Sequence, residues 1–321
     1  PYLIAVLGAD KFGLIVFAQT IVSYFVLIVD YGFSLSATKE IAENKDKQEK
    51  INTIFTSVLI AKIFLCCIGA LLLHVILSSF DRFDNDYWIY LLSYGVVIGM
   101  AIFPVWFFQG IEKMQYTALF NVFPKIFFLI LLFIFVKDET DYFYVPILFS
   151  LGFIFSGIFS LLYALKLGVR FVKIRQQDVK YQLSIGWYVF VGMISSGFAS
   201  NSILLFVGLL TNNATLGIYA AVDKLIKPIA NISNSLLHAI YPHMVNLKKI
   251  SPRSALNFSV KITSYYLLIL MVICILFLLF ADFLIDTFLA NEYIFSKDVL
   301  YILIFLPILT SFLNVFLISN S

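Results

Sequence analysis

Charge is scarce in this chain. Only 13% of its 321 residues are Asp, Glu, Lys or Arg, and 61% are hydrophobic. A soluble domain carries about 25% charged residues. So few charges cannot cover a water-facing surface at this length, and a mean hydropathy of +0.97 points to lipid as the solvent. Cysteine is scarce too. Cys66 and Cys67 are neighbours and Cys274 stands far away, all in apolar runs, which excludes a disulfide framework and a zinc-type ligand spacing. HExxH, CxxC, GxGxxG and P-loop patterns are missing, so no metal, redox or nucleotide chemistry announces itself. No Ser/His/Asp grouping stands out. Asp84-Asn85-Asp86 resembles the DxD of some glycosyltransferases, but it falls in a segment that loop charges place outside the cell, away from nucleotide sugars.

What is present is long apolar runs. A bilayer core about 30 Å thick takes roughly 20 residues of helix. Runs of that size lie near 13–34, 52–78, 87–108, 117–136, 143–165, 187–210, 216–242, 258–283 and 298–319. The sequence therefore predicts an all-α, polytopic membrane protein with about nine helices. The runs are continuous, without the polar alternation of a β-barrel. Thirteen Lys and Arg residues sit in segments 38–50, 109–116, 166–186 and 244–257. The alternate segments, residues 1–12 included, hold only Lys11, Arg82, Lys137 and Lys297. The positive-inside rule puts the first set in the cytoplasm. The outward loops are short, and the longest loop, 166–186, reads either as a solvated linker or as a basic segment lying on the membrane.

Two spans open alike, KFGLIVFAQT from Lys11 and TLGIYAAVDK from Thr215, each with a polar residue (Gln19, Asp223) six positions after a glycine. They are six spans apart and enter from the same side, which suggests a parallel repeat of six helices. The repeat implies twelve helices in the intact protein, as two pseudo-symmetric six-helix bundles. The chain opens on Pro1 rather than Met, so a truncated chain is expected. The expected domains are an N-terminal lobe over 1–165, a cytoplasmic linker over 166–186 and a C-terminal lobe over 187–321, with the first, eleventh and twelfth helices missing.

The stretches PYLIAVLGADKFGLIVFAQT at 1–20, DYGFSLSATKEIA at 30–42, PVWFFQGIEKMQY at 104–116 and LGIYAAVDKL at 216–225 carry a resemblance. In their order and spacing the chain resembles O-antigen and polysaccharide flippases of the Wzx type, within the multidrug/oligosaccharidyl-lipid/polysaccharide exporter superfamily. Ala5 departs from the pattern, where an arginine is expected. The resemblance implies alternating access between two six-helix lobes in the bacterial inner membrane. The cargo would be an undecaprenyl-pyrophosphate-linked oligosaccharide moved from the cytoplasmic to the periplasmic leaflet, with coupling to an ion gradient. It implies no enzyme activity, no cofactor and no nucleic acid. The expected partners are the lipid-linked substrate, membrane lipids and other polysaccharide assembly proteins. One alternative is a cation-coupled multidrug exporter of the same superfamily, but its cationic cargo would favour acidic residues in the spans. Another is a membrane polymerase or ligase acting on lipid-linked glycans, which would be expected to carry a sizeable outer loop. A scaffold that recruits glycan enzymes is a third.

An anionic, hydrated headgroup needs a polar, positively charged passage through hydrocarbon, so ionisable residues inside spans are the candidates. Asp223, Lys224 and Lys227 lie within five residues, before Pro228. Each such charge costs about 2.5–3.5 kcal/mol at a helix centre, which favours a polar cavity over lipid. Lys227 falls about 16 Å into its span. Lys224 and Lys227 share a face, and Asp223 can pair with Lys227. Pro228 should bend the helix. Lys62, Lys125 and Asn201 are further candidates for lining the passage, against snorkelling or helix packing. Asp223 and Asp30 are the candidates for ion coupling or gating, with Lys39 a possible partner for Asp30. Asn231 and Asn234 are span amides. His74, His238 and His243 read as interfacial, and Gly95 with Gly99 reads as a helix-packing motif.

Overall fold

The computed structural model describes residues 2–229, 251–283, 285, 294–305 and 307–308, and no strand occurs among the described residues. Six helical stretches are long and apolar enough to cross a membrane: Tyr2–Glu43, Gln48–Ser79, Asp81–Gly110, Met114–Phe135, Glu139–Lys166 and Gln176–Leu210. They contain the first six expected spans. The chain is an all-α, multi-pass membrane protein. The seventh expected span is helical over 213–229 and then leaves the described residues, as does most of the ninth. The eighth lies largely in a helix over Pro252–Leu279.

The first helix, α1 (Tyr2–Asp30), starts earlier than expected. Residues 1–12 read as a segment outside the span, yet the run from Tyr2 is apolar enough to continue the helix. The departure is a kink at Gly8, whose φ of 69° only glycine adopts readily. Tyr31 (φ 47°) and Gly32 (φ 76°) then turn the chain into the amphipathic α2 (Phe33–Glu43). α3 (Gln48–Ser79) is followed by a 3-10 turn over Asp81–Asp86. The span expected over 87–108 is broken into α4 (Tyr87–Ser93), α5 (Gly95–Ile102) and α6 (Val105–Gly110). Pro104, which has no N–H to give, separates the last two. α7 (Met114–Phe135) and α8 (Tyr144–Lys166) form a hairpin, and α9 (Gln176–Leu210) follows. The helix over 213–229 is α10.

Residues 14–213 form one compact unit, and residues 1–13 with 214–321 form another. In the first unit, one end of the bundle is held by Phe33 and Ile41 of α2, Phe55 of α3, and Trp106 and Phe108 of α6, all fully buried. α5 and α8 touch backbone to backbone. A Cβ on Gly157 would lie 2.5 Å from the Gly99 carbonyl oxygen, and one on Gly99 would strike the Phe153 backbone. The Gly95/Gly99 pair therefore packs helices, as its spacing predicts. The opposite faces are apolar and exposed: Ile60, Phe64 and Leu71 on α3, and Val122, Ile126 and Leu129 on α7. In a membrane span these faces meet lipid.

The segment 166–186 is not one uniform linker. Lys166 closes α8, Gly168 turns with φ 102°, and residues 169–175 run extended against α3. Asn52 Oδ1 accepts the Arg170 N–H (3.0 Å) and Thr56 Oγ1 accepts the Val172 N–H (3.3 Å). Gln176 already opens α9, whose start is fixed by the Asp178 carboxylate accepting the Arg175 N–H (2.8 Å).

In the second unit, α10 packs on the start of α1 through the glycines of the two similar stretches. A Cβ on Gly217 would run into the Ala9 backbone and lie 3.1 Å from the Gly13 nitrogen.

Candidate functional site

α10 carries Asp223, Lys224 and Lys227 within five residues. Lys227 Nζ lies 3.2 Å from Asp223 Oδ2, the i,i+4 pairing that helical spacing allows. The Asp223 side chain is largely covered (16% exposed) and that of Lys227 is open (45%). Lys224 is exposed and makes no ion pair among the described residues. Its ammonium stands 4.8 Å over the Phe12 ring, a cation–π contact within the same unit. Of the two lysines expected to meet an anion, Lys227 is thus engaged by Asp223, and Lys224 is in no ion pair among the described residues. The bend expected at Pro228 runs into 230–250, outside the described residues, as do Asn231, Asn234, His238 and His243.

A second charged site lies in the unit over 14–213. Lys62 of α3 is buried (side chain 3% exposed), with Nζ 3.6 Å from Asp30 Oδ1 at the end of α1 and 4.9 Å over the Trp106 ring. Asp30 Oδ2 and Trp106 Nε1 are buried with no hydrogen-bond partner among the described residues. Lys39 pairs with Glu43 at 3.9 Å, so Lys62 is the partner of Asp30 and Lys39 is not. The reason is geometric. Tyr31 and Gly32 turn α2 away, so the ammonium nearest to Asp30 comes from the neighbouring helix.

Asn201 lines a cavity of about 410 Å³ between α1, α4, α5, α8 and α9. Gln19, Ser23 and Ser93 line it too, with Val26, Met100, Phe149 and Phe153 on its apolar walls and no charged side chain. Gln19 and Asn201 are thus brought to one cavity from α1 and α9. Ser23 and Ser93 donate to carbonyls of their own helices, Thr20 (2.6 Å) and Ile89 (2.7 Å), and so turn only acceptor lone pairs outward. Lys125 is not brought to these groups. It is exposed on α7 beside Val122, Ile126 and Leu129, on the apolar face that meets lipid. His74 bonds the Tyr87 hydroxyl (2.7 Å) between the C-terminal part of α3 and the start of α4. No cluster of His, Cys, Asp or Glu suited to a metal occurs among the described residues.

Gln19 had a signal in the sequence, as the counterpart of Asp223 in the repeat. Trp106 and the buried Glu40 of α2 had none, because their neighbours come from distant helices.

This geometry meets three comparisons. Residues 1–248 match the family model described as "Polysaccharide biosynthesis protein". A "Putative O-antigen transporter" of Escherichia coli (strain K12) is 28% identical over 245 residues, 76% of this chain and 59% of that protein. A protein of the same description from Shigella dysenteriae is 26% identical, over 77% of this chain and 62% of its own length. The chain thus spans about three-fifths of the length of these curated relatives. A solved inward-facing structure of a multidrug resistance MATE family transporter of the MOP superfamily matches with a TM-score of 0.65. That match covers 97% of this chain and 76% of the other at 16% identity, a likeness of fold alone. The match over 1–248 spans well over half of the sequence, and the chain belongs to the polysaccharide biosynthesis protein family.

Proposed function

We propose that this protein is a flippase that carries an undecaprenyl-pyrophosphate-linked oligosaccharide from the cytoplasmic to the periplasmic leaflet of the bacterial inner membrane. Transport proceeds by alternating access coupled to an ion gradient. The reading includes two helical lobes, over 1–165 and 187–321, joined through 166–186. Membership of the polysaccharide family and relatives described as O-antigen transporters support it. Membrane lipids and other polysaccharide assembly proteins are its further partners.

One observation carries the reading. Lys224 presents an ammonium that makes no ion pair among the described residues; it follows Asp223 directly in the chain and lies one helical turn before Lys227, the lysine that the Asp223 carboxylate holds. A pyrophosphate entering beside Lys224 gains a cation without breaking an existing pair. It can then compete with Asp223 for Lys227. A cationic drug would meet two ammonium groups and one carboxylate here, which disfavours the multidrug alternative.

The test is reconstitution of the full chain into vesicles with a labelled lipid-linked oligosaccharide in one leaflet. Wild type is expected to move the label to the other leaflet without altering it covalently. Lys224→Gln, at equal protein content, is expected to lose that movement. Full movement by Lys224→Gln, or a covalently changed product, would overturn the proposal.

A further inference from the structure

α2 and the first turns of α9 enclose a second cavity, of about 380 Å³, that the transport proposal does not use. Glu40 lines it and is only 9% exposed. Gln182 of α9, itself 3% exposed, donates from Nε2 to Glu40 Oε2 at 2.7 Å. Gln182 is neutral, so this bond orients the carboxylate but brings no counter-charge. Lys39, the residue before it, is directed to Glu43 at 3.9 Å, and Glu40 makes no ion pair among the described residues. A buried carboxylate left so calls for a cation.

The rest of the lining narrows that cation. Glu43 adds a second carboxylate, so the net charge of the wall is negative despite Lys39. Leu35 and Ile185 make part of the wall apolar, and Leu35 and Tyr181 are well exposed at it. A cavity of this size falls among small-molecule sites, roughly 300–1,000 Å³, and is far larger than a bare ion needs. It lies where α2 ends and α9 begins, at the Lys- and Arg-rich ends of the spans, where a membrane protein meets lipid headgroups. A ligand that satisfies all of this has an N–H-bearing cation, an anion a few atoms away and hydrocarbon attached.

We propose that this cavity binds the head of a membrane phospholipid bearing a primary ammonium beside its phosphate, with Glu40 and Glu43 receiving the ammonium and Lys39 the phosphate. The acyl chains run along Leu35 and Ile185. A quaternary ammonium has no N–H to donate to Glu40, and a purely anionic head meets two carboxylates against one lysine. Both bind more weakly.

Binding is read without any transport step, so failure here leaves the flippase reading untouched, and the reverse. The full chain in detergent is titrated with phosphatidylethanolamine, phosphatidylcholine or phosphatidylglycerol of identical acyl chains. Native mass spectrometry counts bound lipid and thermal unfolding follows stability. Phosphatidylethanolamine is expected to bind at least about tenfold more tightly than the other two. Glu40→Gln is expected to remove that preference, and Lys39→Ala to weaken all three phospholipids. Because Glu40 also bonds Gln182, Leu35→Trp serves as a second variant that fills the wall without touching the charges, and it too should lower binding. Equal binding of the three lipids, an unchanged preference in Glu40→Gln, or stabilisation by sodium ions alone would overturn the proposal.

Discussion

Lys62 holds its ammonium 3.6 Å from the Asp30 carboxylate and 4.9 Å over the ring of Trp106. The lysine is almost wholly buried and the aspartate mostly so. Removing one partner of a buried ion pair leaves the other charge uncompensated, which destabilises by about 3–5 kcal/mol, whereas replacing both can be close to neutral. Lys62→Met is therefore expected to lower the unfolding temperature of the detergent-solubilised protein strongly. Asp30→Asn should lower it as well, and the double variant should recover most of the loss. If the double variant is as unstable as the sum of the singles, the two residues are not coupled.

The α5–α8 contact gives a prediction about packing. A Cβ at Gly157 would sit 2.5 Å from the Gly99 carbonyl oxygen, and backbone on both sides leaves nothing flexible to yield. Gly157→Ala is expected to destabilise by roughly 1–3 kcal/mol through overpacking. Gly192, on α9, has nothing within 4 Å of its would-be Cβ. Gly192→Ala should be neutral or gain up to about 1 kcal/mol from helix propensity. Titration with a denaturing detergent, followed by circular dichroism, ranks the two. Equal effects would remove the special role of the contact.

These two cases show what the sequence reveals and what it hides. Spans are legible because lipid demands unbroken apolar runs, and the Asp223–Lys227 pair is legible because helical spacing alone brings the two together. The GxxxG spacing of Gly95 and Gly99 announces a contact but not that α8 is its partner. Asp30 invites a local partner, Lys39, whereas the real one, Lys62, reaches it only once α3 is packed beside α1. Lys125 and Lys62 look alike in sequence, each about ten residues into an apolar run. One faces lipid and the other the bundle interior, a difference decided by helix rotation against neighbours. Glu40 and Gln182 are 142 positions apart, and no pattern links them before folding. The kink at Gly8 and the break at Pro104 escaped as well, because both residues shape apolar sequence without marking it in the hydropathy.

In the proposed transport cycle Asp223 is the carboxylate that would couple an ion to the lysines. It is mostly covered, and its present partner is Lys227. Asp223→Asn frees Lys227 and removes the group on which a proton or sodium ion would act. In vesicles carrying an imposed ion gradient, the variant is expected to retain binding of the lipid-linked oligosaccharide. The gradient's stimulation of transport should disappear. Stimulation of wild-type size in Asp223→Asn would place coupling elsewhere, with Asp30 the next carboxylate to test.

Arg82 lies in the 3-10 turn after α3, and its guanidinium reaches the carbonyls of Gly208, Leu209 (3.2 Å) and Thr211 (3.0 Å), at the end of α9. The last carbonyls of a helix lack intrahelical partners and carry the negative end of its dipole, so a planar cation with several N–H donors suits them. The contact joins segments about 127 residues apart, and the guanidinium also lies 5.3 Å from the Phe17 ring centroid of α1. Arg82→Ala is expected to cost on the order of 1 kcal/mol, confined to the last turns of α9. Hydrogen exchange should quicken at the amides of Phe206 to Leu210 and stay unchanged near Gln182. Arg82→Lys, a point charge without the fork, should fall between the two. Uniform exchange along α9 in both variants would mean that Arg82 does not hold the helix end.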